Sequence, residues 1–515
     1  MTQAENFPVV IGVGQAMEPV PSDLTHASSY VDLATVAVGR ALADTGAPAI
    51  VDSIDSVAAV RTFEDSLPGA RRAFNGPWNF PGAVAQRIGA ESRDCVYEKL
   101  GGQSPQGLVN EFAEQCSRGE GRVALLFGAE VIANVKAARR AGIELDWSET
   151  VHGDFTDRGG NEALELVGAE ALRHGMLKPM QFYGLMETAR RLELALGRDD
   201  YAKRMGELFA PFSRTAAGNP YAQFPQAFSP AELIEPGEEN PMLVSPYTLN
   251  LVSKDSVNQA AAVLVTTAGR ARELGVPRDR WIYLHGSADA DELPLLERPG
   301  LGRSLAQKLA LEAAMDDAGA DAADIAHFDL YSCFPLPVFN STETLGIGPD
   351  DPRPLTQTGG LPYFGGPGNN YSMHAIAAMI ETLRADPGGL GLIHANGGFL
   401  SKHSVGVYGS ESPSKPPASD KARLEDAVRR QASVRIDSAP EGIGMIDSWV
   451  VSYRGGKPDS VIVVGRLEAG GARFMAANRP GDEAALRGFE DSDPVGRPVR
   501  VEPEIDGNRF RLTRN

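Results

Sequence analysis

The chain alternates short apolar runs with amphipathic stretches. Pro8 to Val13 is a β-branched run closed by Gly12 and Gly14, and it predicts a buried strand. From Ser28 to Gly46 the apolar residues fall at Val31, Ala34, Val38, Ala41 and Leu42, a helical spacing that Gly46 ends. Val51 to Val60 predicts a second strand region. Ser104-Pro105 then opens a helix, because serine caps well and proline fits the first helical position. The stripe of that helix is Leu108, Phe112 and Cys116, with Val109 and Ala113 beside it, and Gly119 ends it. Val123 to Ala129 follows as a buried strand. Strand alternating with helix argues for α/β layers.

From about Asn134 to Met242 the pattern loosens. This stretch is rich in Arg, Pro, Gly and aromatic residues, has helical pieces at Met186 to Leu196 and Tyr201 to Phe212, and reads as an inserted lid or loop domain. Strand character returns between Leu249 and Thr267, around Ala260 to Val265. Trp281 to Gly286 starts a second unit. It continues with a helix from Leu305 to Ala318 and a strand from His327 to Leu330 that runs into Tyr331-Ser332-Cys333-Phe334. A Gly-rich loop, Gly359 to Asn370, then enters a helix from about Ser372 to Leu383, and two strands between Gly391 and Val407 flank Gly397-Gly398. Two such units predict an internal duplication of architecture. Glu411 to Asp420 has linker composition. Beyond it, short strands at Gly444 to Tyr453, Ser460 to Leu467, Ala472 to Ala476, Val499 to Val501 and Arg509 to Leu512 predict a small β-barrel. The expected division is 1–285 for the first half, with the loop domain at about 134–248, then 286–412 for the second half and 421–515 for the barrel.

Composition narrows the class. The chain has 515 residues, 42% apolar and 23% charged, which is ordinary globular usage and excludes disorder over most of its length. A net charge of −19 and a pI near 5.0 make a poor tracker of phosphate backbones, so no nucleic-acid partner is expected. The start carries no basic-then-apolar leader, and no apolar run reaches the ~18 residues of a span, so no membrane partner is expected either. Only 3 cysteines occur, an odd number that argues against a disulfide framework and points to the cytoplasm. The 8 histidines show no metal-ligand spacing, and no metal is expected.

Several places could carry chemistry. Gly101-Gly102-Gln103-Ser104 lies at a helix N-terminus, where backbone N–H groups and the dipole favour an anion or a developing oxyanion. A serine nucleophile there would need a histidine base that the neighbouring sequence does not supply, and Ser104 also reads as the cap. Tyr331 closes a strand, the place where ligands sit in α/β sheets; it reads equally as a proton-transferring phenol or as an aromatic core residue. Cys333 and Cys116 read as packing. His374, inside a helix, reads as a core histidine or a site residue. His394-Ala395-Asn396-Gly397-Gly398 is a glycine turn near a strand end.

In their order these blocks resemble the thiolase superfamily, most closely thiolase-like proteins related to the sterol-carrier-protein thiolases, over roughly residues 8–412. Gly101 to Asn110, Asp255 to Thr267, Tyr331 to Phe334 and the Gly-Gly pairs at Gly359 and Gly397 carry the resemblance. It implies a five-layered αβαβα core of two similar halves, a loop domain that helps hold coenzyme A, and in some relatives an additional C-terminal β-rich domain. The implied catalytic positions do not match. A nucleophilic cysteine is expected where this chain has Gly102-Gln103-Ser104. A His-Glu-Ala-Phe-like block reads Tyr331-Ser332-Cys333-Phe334, a Gly-His-Pro block reads Gly365-Gly366-Pro367, and a Cys-x-Gly block reads Ala395-Asn396-Gly397.

The resemblance therefore implies Tyr331, Asn396 and His374 as candidate catalytic residues. Gly102, Gln103, Ser104, Gly397 and Gly398 would hold the ligand. That ligand would be coenzyme A or an acyl-CoA, as substrate and not as a tightly bound cofactor. Three functions follow. One is an acetyl-CoA acetyltransferase-like enzyme working without an acyl-cysteine. Another is a retro-aldolase on side-chain β-hydroxyacyl-CoA that uses Tyr331, since related aldolases carry a Tyr-Asp-Cys-Phe-like block and work with a small β-barrel partner. The third is a non-catalytic acyl-CoA-binding protein. Either a homodimer or a monomer fits.

Overall fold

The computed structural model describes residues 3–66, 72–91, 94–120, 122–159, 166–418, 420–490 and 492–513. Its strands, in chain order, are β1 (Pro8–Met17), β2 (Ser56–Ala59), β3 (Asp94–Tyr97), β4 (Ala124–Val131), β5 (Thr156–Asp157), β6 (Met242–Val244), β7 (Tyr247–Thr248), β8 (Asn258–Thr267), β9 (Ile282–Asp291), β10 (Ile325–Leu330), β11 (Leu390–Gly397), β12 (Lys402–Gly409), β13 (Gly442–Arg454), β14 (Lys457–Leu467), β15 (Arg473–Ala477), β16 (Pro498–Glu502) and β17 (Arg509–Leu512). Ten of these form a mixed sheet in the order β10-β11-β12-β9-β1-β8-β4-β2-β3-β5. It divides into two halves that meet at β1 and β9, paired at Val9–Tyr283 and Val10–Ile282.

The two halves share one connectivity. In the first, β2 runs parallel to β4, β4 antiparallel to β8, and β8 antiparallel to β1. In the second, β10 runs parallel to β11, β11 antiparallel to β12, and β12 antiparallel to β9. A matching close approach accompanies the repeat. A side chain at Gly14 on β1 would collide with Ala37 O and Ala41 N of helix Tyr30–Asp44, and one at Gly286 on β9 would collide with Ala314 O and Ala318 N of helix Leu305–Ala318. Both helices lie so near their strands that only glycine fits.

Helices Ser104–Ser117 and Tyr371–Ala385 form the central layer. Their Leu108, Val109, Phe112, Met373, Ile376 and Ile380 share one core with Val10 and Val263 of the first half and Ile393 of the second. Outside the first half lie Tyr30–Asp44 and Phe80–Ile88, burying Val31, Val38 and Phe80. Leu305–Ala318 and Pro335–Leu345 cover the second, burying Ala310, Leu311 and Leu336. The fold is thus the expected αβαβα arrangement. Strand β9 spans residue 285, where the halves were divided in the sequence.

The segment inserted into the first half, between β4 and β8, carries helices Pro179–Glu193 and Arg198–Ala217. At the C-terminus, β13-β14-β15-β17-β16 closes back onto β13 as a five-stranded barrel, with helix Glu483–Glu490 between β15 and β16. Ile446, Trp449, Val463, Phe474 and Phe510 fill it. The barrel is sewn to the inserted segment, because β6 pairs with β13 at Val244–Ser452. Among the described residues, no helix is long and apolar enough to cross a membrane, and no group of three or more His, Cys, Asp or Glu could hold a metal ion.

Candidate active site

The loop before helix Ser104–Ser117 is gripped by the second half. Gly101 has φ +145, a backbone that side-chain-bearing residues rarely adopt, and its N–H donates to Asn369 Oδ1 at 3.1 Å. Asn369 is itself held through Nδ2, which donates to Arg61 O (2.9 Å) and Ser66 Oγ (3.0 Å). Ser372 Oγ donates to Gly102 O at 2.7 Å. Ser104 Oγ donates to Lys99 O at 3.1 Å, so this hydroxyl is turned back onto its own loop. Gln103 is the N-cap residue, yet its side chain makes no capping bond.

Tyr331 stands directly in front of this loop. Its backbone N–H donates to His394 O (3.1 Å), which joins the end of β10 to β11. Its ring lies edge-on to Tyr371, centroids 5.5 Å apart. A side chain at Gly102 would run into Tyr331 Oη, Tyr331 Cζ and Asn396 O. The phenol therefore fills the space into which a nucleophile at residue 102 would project. One strand over, Asn396 Nδ2 donates to Tyr183 Oη at 2.8 Å and approaches Cys333 Sγ at 3.8 Å. Gln103 folds over Gly397, where any side chain would meet its Oε1. Gln103 Oε1 and Asn396 Oδ1 are both buried without a hydrogen-bond partner. Gly398 turns the chain with φ +61.

The structure thus brings together Gly102, Gln103, Tyr331, Asn396 and Gly397, with Ser104 and Gly398 at the margins. His374 bonds elsewhere: its Nδ1 faces Gln15 Oε1 at 2.9 Å, and its ring meets Phe364 edge-on at 5.1 Å.

Residues 423–506 match the family described as thiolase-like protein type 1 additional C-terminal domain. Across 99% of both chains the structure is similar to a monomeric SCP2-thiolase-like protein type 1 from Mycobacterium smegmatis, with 39% sequence identity and a TM-score of 0.84. The chain belongs to the type 1 SCP2-thiolase-like proteins. The fold extends to the dimeric peroxisomal thiolase of Saccharomyces cerevisiae, at 15% identity and TM-score 0.56 over 79% of this chain and 98% of that one. It extends likewise to an Ltp2-ChsH2(DUF35) aldolase, at 18% identity and TM-score 0.57 over 79% and 98%. No curated protein matches the chain.

In this type 1 protein the central groups are neutral. Burial raises the Tyr331 phenol well above its usual range, with the neighbouring Cys333 adding to it. Burial also pushes the Cys333 and Cys116 thiols up to about 12. Neither is a thiolate near neutral pH, and Cys95 lies on β3, away from the site. His374 is held down at about 3 by burial, so its ring stays neutral.

Behind Asn396 runs a buried chain of hydrogen-bonding groups. Ser304 Oγ donates to Glu292 Oε2 (3.0 Å) and lies 3.2 Å from His403 Nε2. His403 Nδ1 lies 3.1 Å from His394 Nε2, and His394 Nδ1 lies 3.2 Å from Ser341 Oγ. Both rings are neutral, with burial holding His403 at about 3. Tyr183, which the sequence did not single out, orders the site from the inserted segment. Its hydroxyl takes the Asn396 amide and the Leu400 N–H (3.1 Å), and its ring stacks on Phe334 at 4.3 Å.

Proposed function

We propose that this protein binds acyl-CoA thioesters without turning them over through an acyl-cysteine. The observation that carries the proposal is the Tyr331 phenol, seated where a side chain at Gly102 would project. Acyl transfer of the thiolase kind needs a thiolate nucleophile, and none of the chain's three cysteines stands at the helix N-terminus. What the site keeps is that N-terminus, whose dipole and backbone N–H groups favour a polarised thioester oxygen. Acyl-CoA as the ligand is supported by the shared fold, since that fold also forms a human mitochondrial 3-ketoacyl-CoA thiolase, at 14% identity and TM-score 0.55 over 79% of this chain and 99% of that one. A cytoplasmic setting fits three cysteines that form no disulfide. We assign a monomer, because the Mycobacterium smegmatis relative, similar over 99% of both chains, is monomeric. Equilibrium titration with acetyl-CoA should saturate, while an assay of acetoacetyl-CoA thiolysis with added coenzyme A should show no turnover. Absence of binding, or brisk thiolysis, would sink the proposal.

A second reading is retro-aldol cleavage of a β-hydroxyacyl-CoA, favoured by one observation: a buried neutral phenol at a strand end beside a helix N-terminus. The aldolase of similar fold is named with a second component, and this chain carries its own barrel in cis. Release of a carbonyl product from a β-hydroxyacyl-CoA, abolished by Tyr331→Phe, would establish this reading. No release by the unaltered protein excludes it.

A further inference from the structure

Two buried arginines join the C-terminal barrel to the candidate site. Arg473, the first residue of β15, is 1% exposed and donates to three backbone oxygens of the core: Leu296 O (2.8 Å), Arg298 O and Pro299 O (3.2 Å). Arg298, also 1% exposed, points the other way. Its Nε donates to Leu293 O (2.8 Å), and its Nη2 donates to Phe399 O (3.3 Å) and Ser401 Oγ (3.0 Å). Neither guanidinium has a carboxylate partner within ion-pair distance among the described residues. Burying an unpaired cation is costly, and here the return is a set of directed bonds to backbone.

Those bonds end on the turn between β11 and β12. Leu400 sits there with φ +56, a left-handed conformation that a leucine holds only when its surroundings impose it. Arg298 clamps the residues on either side of it. Glu292 N–H donates to Ser401 O (2.7 Å), and the Phe399 ring lies flat on Phe182, with centroids 3.8 Å apart. The Leu400 N–H donates to Tyr183 Oη, the same oxygen that receives the Asn396 amide. The path from barrel to site is therefore continuous: Arg473, the Arg298 backbone, the Arg298 guanidinium, the strained turn, and Asn396 with Gly397.

We infer that Arg473 and Arg298 are positioning residues through which the C-terminal barrel holds the 398–401 turn in its left-handed form, fixing Asn396 and Gly397 beside Gly102. The inference depends on no particular reaction, so it stands or falls apart from acyl-CoA binding. Native-state hydrogen exchange on the full chain tests it. With rising denaturant, the Leu400 amide should open in the same step as the amides of β14 and β15. In Arg473→Met, exchange at Leu400 should speed up at least tenfold. Labelling of Cys333 by a thiol reagent, read by peptide mass, should rise by a similar factor, because Cys333 lies under the Asn396 side chain. Arg473→Lys, which keeps the charge but on a single donor nitrogen, should fall between. Unchanged Leu400 exchange and Cys333 labelling, in a variant whose barrel amides do exchange faster, would overturn the inference. If Arg473→Met does not fold, the unaltered protein decides: Leu400 opening with its β11 neighbours and independently of the barrel would overturn it equally.

Discussion

Gly102→Ala is the sharpest probe of the site, because it adds one carbon where the structure has no room. The new Cβ would press on Tyr331 Oη, Tyr331 Cζ and the backbone oxygen of Asn396. The Asn396 oxygen belongs to β11 and cannot retreat without disturbing the strand. The relief must come from Tyr331, whose ring is already braced against Tyr371. Overpacking of this kind typically costs about 1–3 kcal/mol. Tyr331→Phe removes the oxygen and eases the clash but leaves the Cζ contact, so the two changes should couple by about 1 kcal/mol, within the range seen for residues in contact. The assay is a double-mutant cycle read from urea midpoints. A loss below about 0.5 kcal/mol for Gly102→Ala, the scale of an innocuous surface change, would refute the reasoning. Strict additivity with Tyr331→Phe would do so as well. Gly102→Cys should be destabilised similarly and should gain no thiolysis.

Three further outcomes are expected. The folded His374 ring stays neutral down to about pH 3, whereas the unfolded ring takes a proton near 6.5. Its contribution is whole above pH 6.5 and is lost toward pH 3, at about 1.4 kcal/mol per pH unit. His374→Gln should remove that part of the slope, and urea midpoints across this range with an unchanged slope would contradict it. Glu130 behaves oppositely: burial lifts its carboxyl from 4.5 to about 8, so the folded state keeps a proton that the unfolded state has lost. Between those pH values the Glu130 contribution to stability falls as pH rises, so Glu130→Gln should gain steadily on the unaltered protein; a constant difference would be wrong. In sedimentation equilibrium the chain should run as a single 54.8 kDa species, and a species of twice that mass would contradict the monomer assignment.

Much of the core is legible along the chain because its signals are local. The helix at Ser104-Pro105 is found where its signal lies, but one residue early: Gln103 and not Ser104 is the N-cap, and the Ser104 hydroxyl bonds back to Lys99 O instead of capping. The glycines at 14 and 286 mark the strands that take a helix at close range, although the repeated connectivity shows only once the strands pair. The inserted segment is harder to read because helix Pro179–Glu193 buries charged residues among its apolar ones. Helix Arg198–Ala217 extends beyond the Tyr201–Phe212 stretch that apolar spacing suggests, whereas Pro179–Glu193 starts well before the expected Met186–Leu196 and ends before Leu196. Glu187 and Arg190 are both buried; Glu187 accepts from Tyr247 Oη at 2.6 Å, and Arg190 donates to Tyr201 Oη at 3.0 Å. A charged residue in such a network breaks the hydrophobic period that would reveal the helix. Tyr183 is hidden for a different reason: its partner Asn396 lies 213 positions away, and no local pattern joins the two. The absence of the catalytic cysteines is plain from composition and block order. What fills their place, the Tyr331 phenol, emerges only when β10 and the Gly102 loop are brought face to face.

One calorimetric experiment bears most directly on the central proposal. Acetoacetyl-CoA is titrated into the protein, and coenzyme A is injected at saturation. The expected record is a saturable binding isotherm followed by a return to baseline, showing a ligand held and not cleaved. A sustained heat of turnover after the coenzyme A injection would show working thiolase chemistry despite Tyr331, and no binding heat at all would show that the fold no longer holds an acyl-CoA.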